Sequence, residues 1–215
     1  MKNFSDKALS VLKSNGTLPV LCLKSREELN TFEQALVNTP INCVEIMLRH
    51  PFSLECISYI KKNYPSVIVG AGTVMTEQNY NDALSAGADF CVAPGFDEAL
   101  VSKAMADGVF FLPGCITPTE IMRAQRMGCD IIKFFPAEGL GGTKTLKLYE
   151  GALSGISFIP TGGITLNNLP DYLALDNVIA CGGGYMVPKD MLKNGDSAGI
   201  AQTINNCCNI RKAEK

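Results

Sequence analysis

Residues 129–138 read C-D-I-I-K-F-F-P-A-E. Ile131, Ile132, Phe134 and Phe135 enclose one ammonium, that of Lys133, and Pro136 stops the run, so the pattern is that of a short buried strand. Alternate residues of a strand share a face, which sets Ile131, Lys133 and Phe135 on one side and Ile132 and Phe134 on the other. A lysine so placed snorkels to the strand end, pairs with a carboxylate, or is stripped of water, in which case the neutral amine is favoured and can attack a carbonyl carbon. The rest of the chain decides among these.

On both sides of this run one unit recurs about every 20 to 28 residues: an apolar run, a break at Gly, Pro or Thr, and an amphipathic helix. The runs are Leu18 to Leu23, Cys43 to Leu48, Val67 to Ala71, Phe90 to Ala93, Val109 to Leu112, Ile131 to Phe135, Phe158 to Pro160 and Val178 to Cys181. They predict eight strands. Ser25-Arg26-Glu27-Glu28 and Thr117-Pro118-Thr119-Glu120 have the form of capping boxes, the second with proline at the first helical position, and Thr76, Asp97 and Thr165 are candidate caps. A leading helix with Phe4, Ala8, Val11 and Leu12 at helical spacing is closed by Asn15-Gly16. The last helix is expected over Ala198 to Ile210, with Arg211 to Lys215 a solvated, frayed tail.

Eight strands alternating with eight helices predict an α/β protein, a (β/α)8 TIM barrel with an extra N-terminal helix. An open doubly wound sheet is the alternative, which eight regular units disfavour. No linker or low-complexity segment interrupts the series, so residues 1–215 are expected to form a single domain, residues 1–16 being the N-terminal helix.

Hydrophobic residues make up 47% of the chain, charged residues 19%, and the net charge is −2. That balance suits a well-packed soluble protein and removes any bulk electrostatic reason for a nucleic-acid or anionic-membrane partner, so an anionic ligand needs a local site. Met1 is not followed by a signal-peptide h-region, and no apolar run approaches the ~18 residues of a membrane span, which points to the cytoplasm. Nine cysteines, an odd number without a C-x-x-C pair, read as reduced and buried. His50 is the single histidine, so a His-rich metal cluster is excluded and no metal or other cofactor is expected. Chemistry falls to Lys, Glu, Arg, Thr and backbone groups.

In a barrel the active site forms at the C-terminal rim of the strands, so unusual residues at the ends of the apolar runs should converge on one mouth. Glu45, Met47 and Arg49 share parity in C-V-E-I-M-L-R, and a carboxylate between Val44 and Ile46 is as anomalous as Lys133. Glu45 and Lys133 directed into one interior make each other tolerable, either as a structural ion pair or as a nucleophile with its proton shuttle. Arg49 has the planar fork that suits a carboxylate. Thr73, beside Gly70 and Gly72, adds a hydroxyl where backbone can approach closely. Thr161-Gly162-Gly163 and Gly182-Gly183-Gly184 follow the seventh and eighth runs, where such barrels bind phosphate, and Gly184 to Pro188 could be the short helix found there. His50 reads as a loop residue and Glu138 as a residue favoured at a helix N-terminus.

These pieces together resemble the 2-keto-3-deoxy-6-phosphogluconate (KDPG) aldolase / 4-hydroxy-2-oxoglutarate (KHG) aldolase family of class I aldolases. The resemblance runs from about Leu18 to Pro188 and rests on V-E-I-M-L-R (44–49), V-G-A-G-T-V (69–74), A-P-G (93–95), P-G-C-I-T-P-T-E (113–120), I-K-F-F-P-A-E (132–138), P-T-G-G-I (160–164) and C-G-G-G-Y-M-V-P (181–188). It implies a homotrimer that cleaves a phosphorylated 2-oxo acid to pyruvate and glyceraldehyde 3-phosphate, with 4-hydroxy-2-oxoglutarate as a further substrate. By similarity Lys133 forms the Schiff base and Glu45 is the general acid/base. Arg49 and Thr73 bind the pyruvate carboxylate, Phe135 and Pro94 line the pyruvyl pocket, and Thr161, Gly162, Gly163 and Gly184 face the phosphate. Many relatives have serine in place of Gly184 and Thr or Ser in place of His50. The competing readings are an aldolase for the 6-phosphogalactonate epimer, a phosphate-binding isomerase or synthase without a Schiff base, and a silent metabolite-binding barrel.

Overall fold

The computed structural model describes the backbone of residues 2–213 and the side chains of residues 8–210. Helix α1 (Lys2–Asn15) leads into β1 (Thr17–Leu21), α2 (Arg26–Leu36), β2 (Cys43–Met47), α3 (Ser53–Asn63) and β3 (Ile68–Gly72). There follow α4 (Glu77–Ser85), β4 (Phe90–Val92), α5 (Glu98–Ala106), β5 (Phe110–Leu112), α6 (Pro118–Arg126) and β6 (Ile131–Phe134). A 3-10 turn (Glu138–Leu140), α7 (Gly142–Ala152), β7 (Ser157–Pro160), α8 (Leu169–Leu173) and β8 (Cys181–Gly183) come next. A second 3-10 turn (Gly184–Met186), α9 (Lys189–Lys193) and α10 (Ser197–Ala213) complete the series.

All paired strands are parallel. Six form one sheet in the order β5-β4-β3-β2-β1-β8, and β6 pairs with β7 in a second. Isolated bridges link the two sheets, Gly114 to Lys133 on one flank and Thr161 to Gly182 and Phe158 to Val178 on the other.

The parity expected of residues 131–135 holds in the packing. Ile132 and Phe134 are fully buried on the helix-covered side, where Phe134 meets Phe158 and Tyr149 edge-on at centroid distances of 6.2 and 6.3 Å. Burying an aromatic of this size is worth about 1.5–3 kcal/mol. The opposite faces supply a separate apolar cluster of Leu18, Cys43, Ile68, Phe90, Val92, Leu112 and Ile159, joined by Ala8 and Leu12 of α1. Leu18, Cys43, Ile68 and Phe90 stand at or next to the starts of their strands, so α1 covers the N-terminal ends and the C-terminal ends are left for a site.

Local signals mostly act as their chemistry demands. Thr76, Asp97 and Thr117 each accept the backbone N–H three residues on, and Thr117 with Glu120 completes a reciprocal box. The Ser25 box is only half made: Ser25 accepts from Glu28 N–H, but Glu28 reaches Lys24 N–H at 2.8 Å instead of returning to Ser25. Thr165 accepts from Asn168 N–H in the turn before α8, whose N-cap is Asn168. The eighth strand departs from the expected run. It is Cys181–Gly183 and not Val178 to Cys181, because an added Cβ at Gly182 would lie 2.5 Å from Thr161 Oγ1, and a strand forced to be glycine is invisible to an apolar pattern. The last helix continues past Ile210 through Ala213, so the expected tail begins inside it, and Glu214 and Lys215 lie outside the described residues.

Candidate active site

A cavity of about 330 Å³ opens at the C-terminal ends of β1, β2, β6, β7 and β8. Lys133 lines it, 6% exposed, with its backbone held by the segment that follows β5: its N–H donates to Pro113 O at 2.9 Å and its carbonyl accepts from Cys115 N–H at 3.0 Å. The strand therefore fixes where the amine emerges. Lys133 Nζ donates to Glu45 Oε1 at 3.2 Å and lies 5.5 Å from the centre of the Phe135 ring.

Glu45, 1% exposed, sits behind the cavity lining. Its room comes from Gly72 on β3, two residues past Gly70, its partner in the β2–β3 register: a Cβ on Gly72 would fall 2.1 Å from Glu45 Oε1. Two buried charges that satisfy each other are tolerated where either alone would not be. Arg49 lines the cavity, and its Nε donates to Thr73 Oγ1 at 3.1 Å. Thr73 is held at φ +63°, the one described non-glycine residue with positive φ, an uncommon conformation that a fixed hydroxyl position would justify.

Phe135, Thr161, Gly162, Gly163 and Gly184 are all in the lining. The Phe135–Pro136 bond is cis, and Gly162 and Gly163 take φ of +99° and +79°. Glycine is required at 163 for a second reason, since its Cβ would meet Glu138 Cβ at 2.5 Å. Glu138 opens the 3-10 turn after β6, and the Tyr172 hydroxyl donates to it. Burial, helped by that carboxylate, pushes the Tyr172 phenol far above its usual range, so it stays a donor. Thr73 and Pro94 stand back from the lining. Thr73 reaches it through Arg49, while Pro94 packs its carbonyl against Gly114, where an added Cβ would be 2.3 Å away. His50 is a loop residue whose Nδ1 accepts from Phe52 N–H.

Sequence reasoning missed Val20, Cys22, Tyr185 and Lys189, which also line the cavity. None has an anomalous neighbourhood; only adjacency to the glycine-rich turn after β8 could have flagged Tyr185 and Lys189. Burial raises the Tyr185 phenol well beyond the ordinary tyrosine range, the thiols of Cys181, Cys207 and Cys208 adding to it, so it is a neutral wall. Among the described residues no three His, Cys, Asp or Glu side chains gather to hold a metal ion, and no helix is long and apolar enough to cross a membrane.

Comparison with known proteins bears on this site. A family model described as "KDPG and KHG aldolase" matches residues 9–203. A curated protein of Treponema pallidum named 2-dehydro-3-deoxy-phosphogluconate aldolase is 40% identical over 83% of this chain and 85% of its own. A crystal structure of KDPG aldolase from Legionella pneumophila, with pyruvate captured as a covalent carbinolamine, is 31% identical with a TM-score of 0.86, covering 94% of this chain and 97% of that one. The 2-keto-3-deoxy-6-phosphogluconate aldolase of Zymomonas mobilis, solved with 3-phosphoglycerate, is 33% identical with a TM-score of 0.87, over 96% and 95% of the two chains. With 40% identity to one relative over 179 aligned residues, and a family match across most of its length, the chain belongs to the KDPG and KHG aldolase family.

Proposed function

We propose that this protein is a class I aldolase that cleaves 2-keto-3-deoxy-6-phosphogluconate to pyruvate and glyceraldehyde 3-phosphate, and 4-hydroxy-2-oxoglutarate to pyruvate and glyoxylate. The observation that supports it most is Lys133, buried at the edge of a solvent-reached cavity with Glu45 at 3.2 Å. The Legionella relative, which traps pyruvate as a carbinolamine, supports the same chemistry.

In this reading Lys133 Nζ adds to C2 of the 2-oxo acid. Glu45 delivers a proton to the departing hydroxyl, so the carbinolamine loses water and becomes a protonated imine. A base then removes the C4 hydroxyl proton, the C3–C4 bond breaks, and its electron pair enters the imine as an enamine while the aldehyde leaves. Glu45, directly or through water, is that base, and it returns the proton to C3. Water hydrolyses the imine and frees pyruvate and the lysine. Arg49, oriented by Thr73, holds the pyruvate carboxylate, Phe135 walls the reacting carbon, and Thr161, Gly162, Gly163 and Gly184 receive the phosphate; Pro94 supports the wall from behind Gly114.

The two sheets with their linking bridges read as one closed (β/α)8 barrel with α1 beneath it, a single domain over residues 1–215. The family resemblance further assigns a homotrimer in the cytoplasm, which sedimentation equilibrium and cell fractionation test. The aldolase itself is tested by intact mass after mixing with pyruvate and borohydride. One reduced pyruvyl group per chain, absent from Lys133→Met, is expected; no adduct in the folded protein would sink the class I mechanism.

A further inference from the structure

Charge on the cavity wall is of one sign. The lining includes Arg49, Lys133 and Lys189 and no Asp or Glu. Two of these cations are engaged: Arg49 Nε with Thr73 Oγ1 at 3.1 Å, and Lys133 Nζ with Glu45 Oε1 at 3.2 Å. Lys189, exposed at the start of α9, is the remaining one, and among the described residues no side-chain hydrogen bond or ion pair holds it.

Its surroundings suit an anion that lacks a counter-charge. Gly162 and Gly163 contribute backbone to the same cavity, and among the described residues neither donates its N–H to a protein acceptor. Gly184 offers no side chain, and a Cβ there would meet only Val20 O, at 3.5 Å, so the space beside Gly184 is open in the cavity that Lys189 also lines. Backbone N–H dipoles orient a phosphoryl group but do not neutralise it. A mobile ammonium on a four-carbon stem does, as a point charge that needs no fixed geometry.

We propose that Lys189 is the specificity-determining residue for the distal phosphate. Its ammonium pairs with the phosphoryl group seated at Gly162, Gly163 and Gly184, so that 6-phosphorylated 2-oxo acids are preferred over unphosphorylated ones. The proposal rests on the aldolase reading above. It assigns Lys189 no part in bond cleavage.

The test compares Lys189→Ala, Lys189→Arg and the unaltered protein on 2-keto-3-deoxy-6-phosphogluconate and on 2-keto-3-deoxygluconate, with pyruvate trapping by borohydride as a common control. Lys189→Ala should lose about tenfold in kcat/KM on the phosphorylated substrate, through KM, the signature of lost ground-state binding. The unphosphorylated substrate and the pyruvate adduct should be unaffected, and Lys189→Arg should retain most of the preference. Inorganic phosphate, as a competitive inhibitor, should weaken in the same proportion for Lys189→Ala. Equal losses on both substrates, or none on either, with the adduct intact, would overturn the role of Lys189 and leave the aldolase standing. Absence of the adduct from the unaltered protein would remove the aldolase reading and this inference with it.

Discussion

Gly72→Ala adds one methyl group and touches no substrate, yet it should disable the enzyme. Gly72 has no left-handed backbone to protect, so the cost is purely spatial: the new Cβ would lie 2.1 Å from Glu45 Oε1 and 2.8 Å from its Cδ and Cγ. The carboxylate must swing away, and at 1% exposure it has no solvent to swing into, so the 3.2 Å contact with Lys133 is broken. Overpacking of this kind costs about 1–3 kcal/mol. With an unfolding entropy of about 2.1 cal/mol/K per residue, 215 residues convert that into a melting-point loss of about 2–7 °C, which leaves the protein folded. With Glu45 in the proposed acid/base role, turnover suffers more, because a displaced acid/base forfeits most of a contribution of ~10² to 10⁴ in rate. The assay is pyruvate release coupled to NADH oxidation, with the rate of borohydride-trapped adduct measured alongside. Gly95→Ala is the control, since its Cβ would meet nothing within 4 Å. A Gly72→Ala protein whose kcat stays within about threefold of the unaltered enzyme, with an unshifted melting point, would refute the placement of Glu45 as the proton shuttle.

Lys133→Met strands a buried carboxylate and should cost about 3–5 kcal/mol, a melting-point fall of about 7–11 °C, most of which Lys133→Met with Glu45→Leu recovers; equal melting of the single and double variants would show that the pair is not coupled. Burial pushes the Cys91 and Cys115 thiols up to about 12, the latter helped by Glu120 and Cys129, so at pH ~8 only about one in 10⁴ is thiolate. Iodoacetamide should therefore modify Cys22 first, the half-exposed thiol in the cavity, and pre-formed pyruvate adduct should slow it; rapid labelling of Cys91 in folded protein would contradict the burial. Burial raises the Glu120 carboxyl, but hydrogen bonds from the Thr117 and Ile116 N–H groups and the Thr117 hydroxyl outweigh it and hold the carboxyl below its ordinary 4.5. A depressed folded value means the stabilisation is present above about pH 4.5 and lost as pH falls through the lower value. The melting-point gap between the unaltered protein and Glu120→Gln should thus shrink from about pH 7 to about pH 3, and a constant gap would disprove the cap's contribution.

Much of this was legible in the residues because the strand period is so strict. Two charges in apolar runs, Lys133 and Glu45, had one destination each, and parity put Met47 and Arg49 on the Glu45 face, where the cavity finds them. Cap residues were legible for the same reason, a side chain acting on backbone three positions away. Glycine hid what remained. At Gly182 and Gly72 the informative quantity is the atom that would be struck by a missing Cβ, and that atom belongs to another strand. Pro94 was placed in the pyruvyl wall by similarity, and its packing on Gly114 depends on how close β4 and β5 approach, which no local pattern encodes. Lys189, Cys22 and Tyr185 enter the cavity from a helix start, a strand end and a 3-10 turn whose directions only the fold determines.

Glu45 and Lys133 are 88 residues apart, on β2 in the larger sheet and β6 in the smaller. A chain that has assembled only its first five strands therefore holds a carboxylate aimed at an apolar interior with no cation to meet it, and the closing pair lacks its anion in the same way. Neither portion gains from collapsing early, so the ionic contact favours a late, concerted closure over a stable half-formed intermediate, and the loop entropy of joining such distant segments makes that step slow. The appearance of aldol activity during refolding is in this sense a clock for completion: a molecule that can form the imine is one whose last strands are already in place.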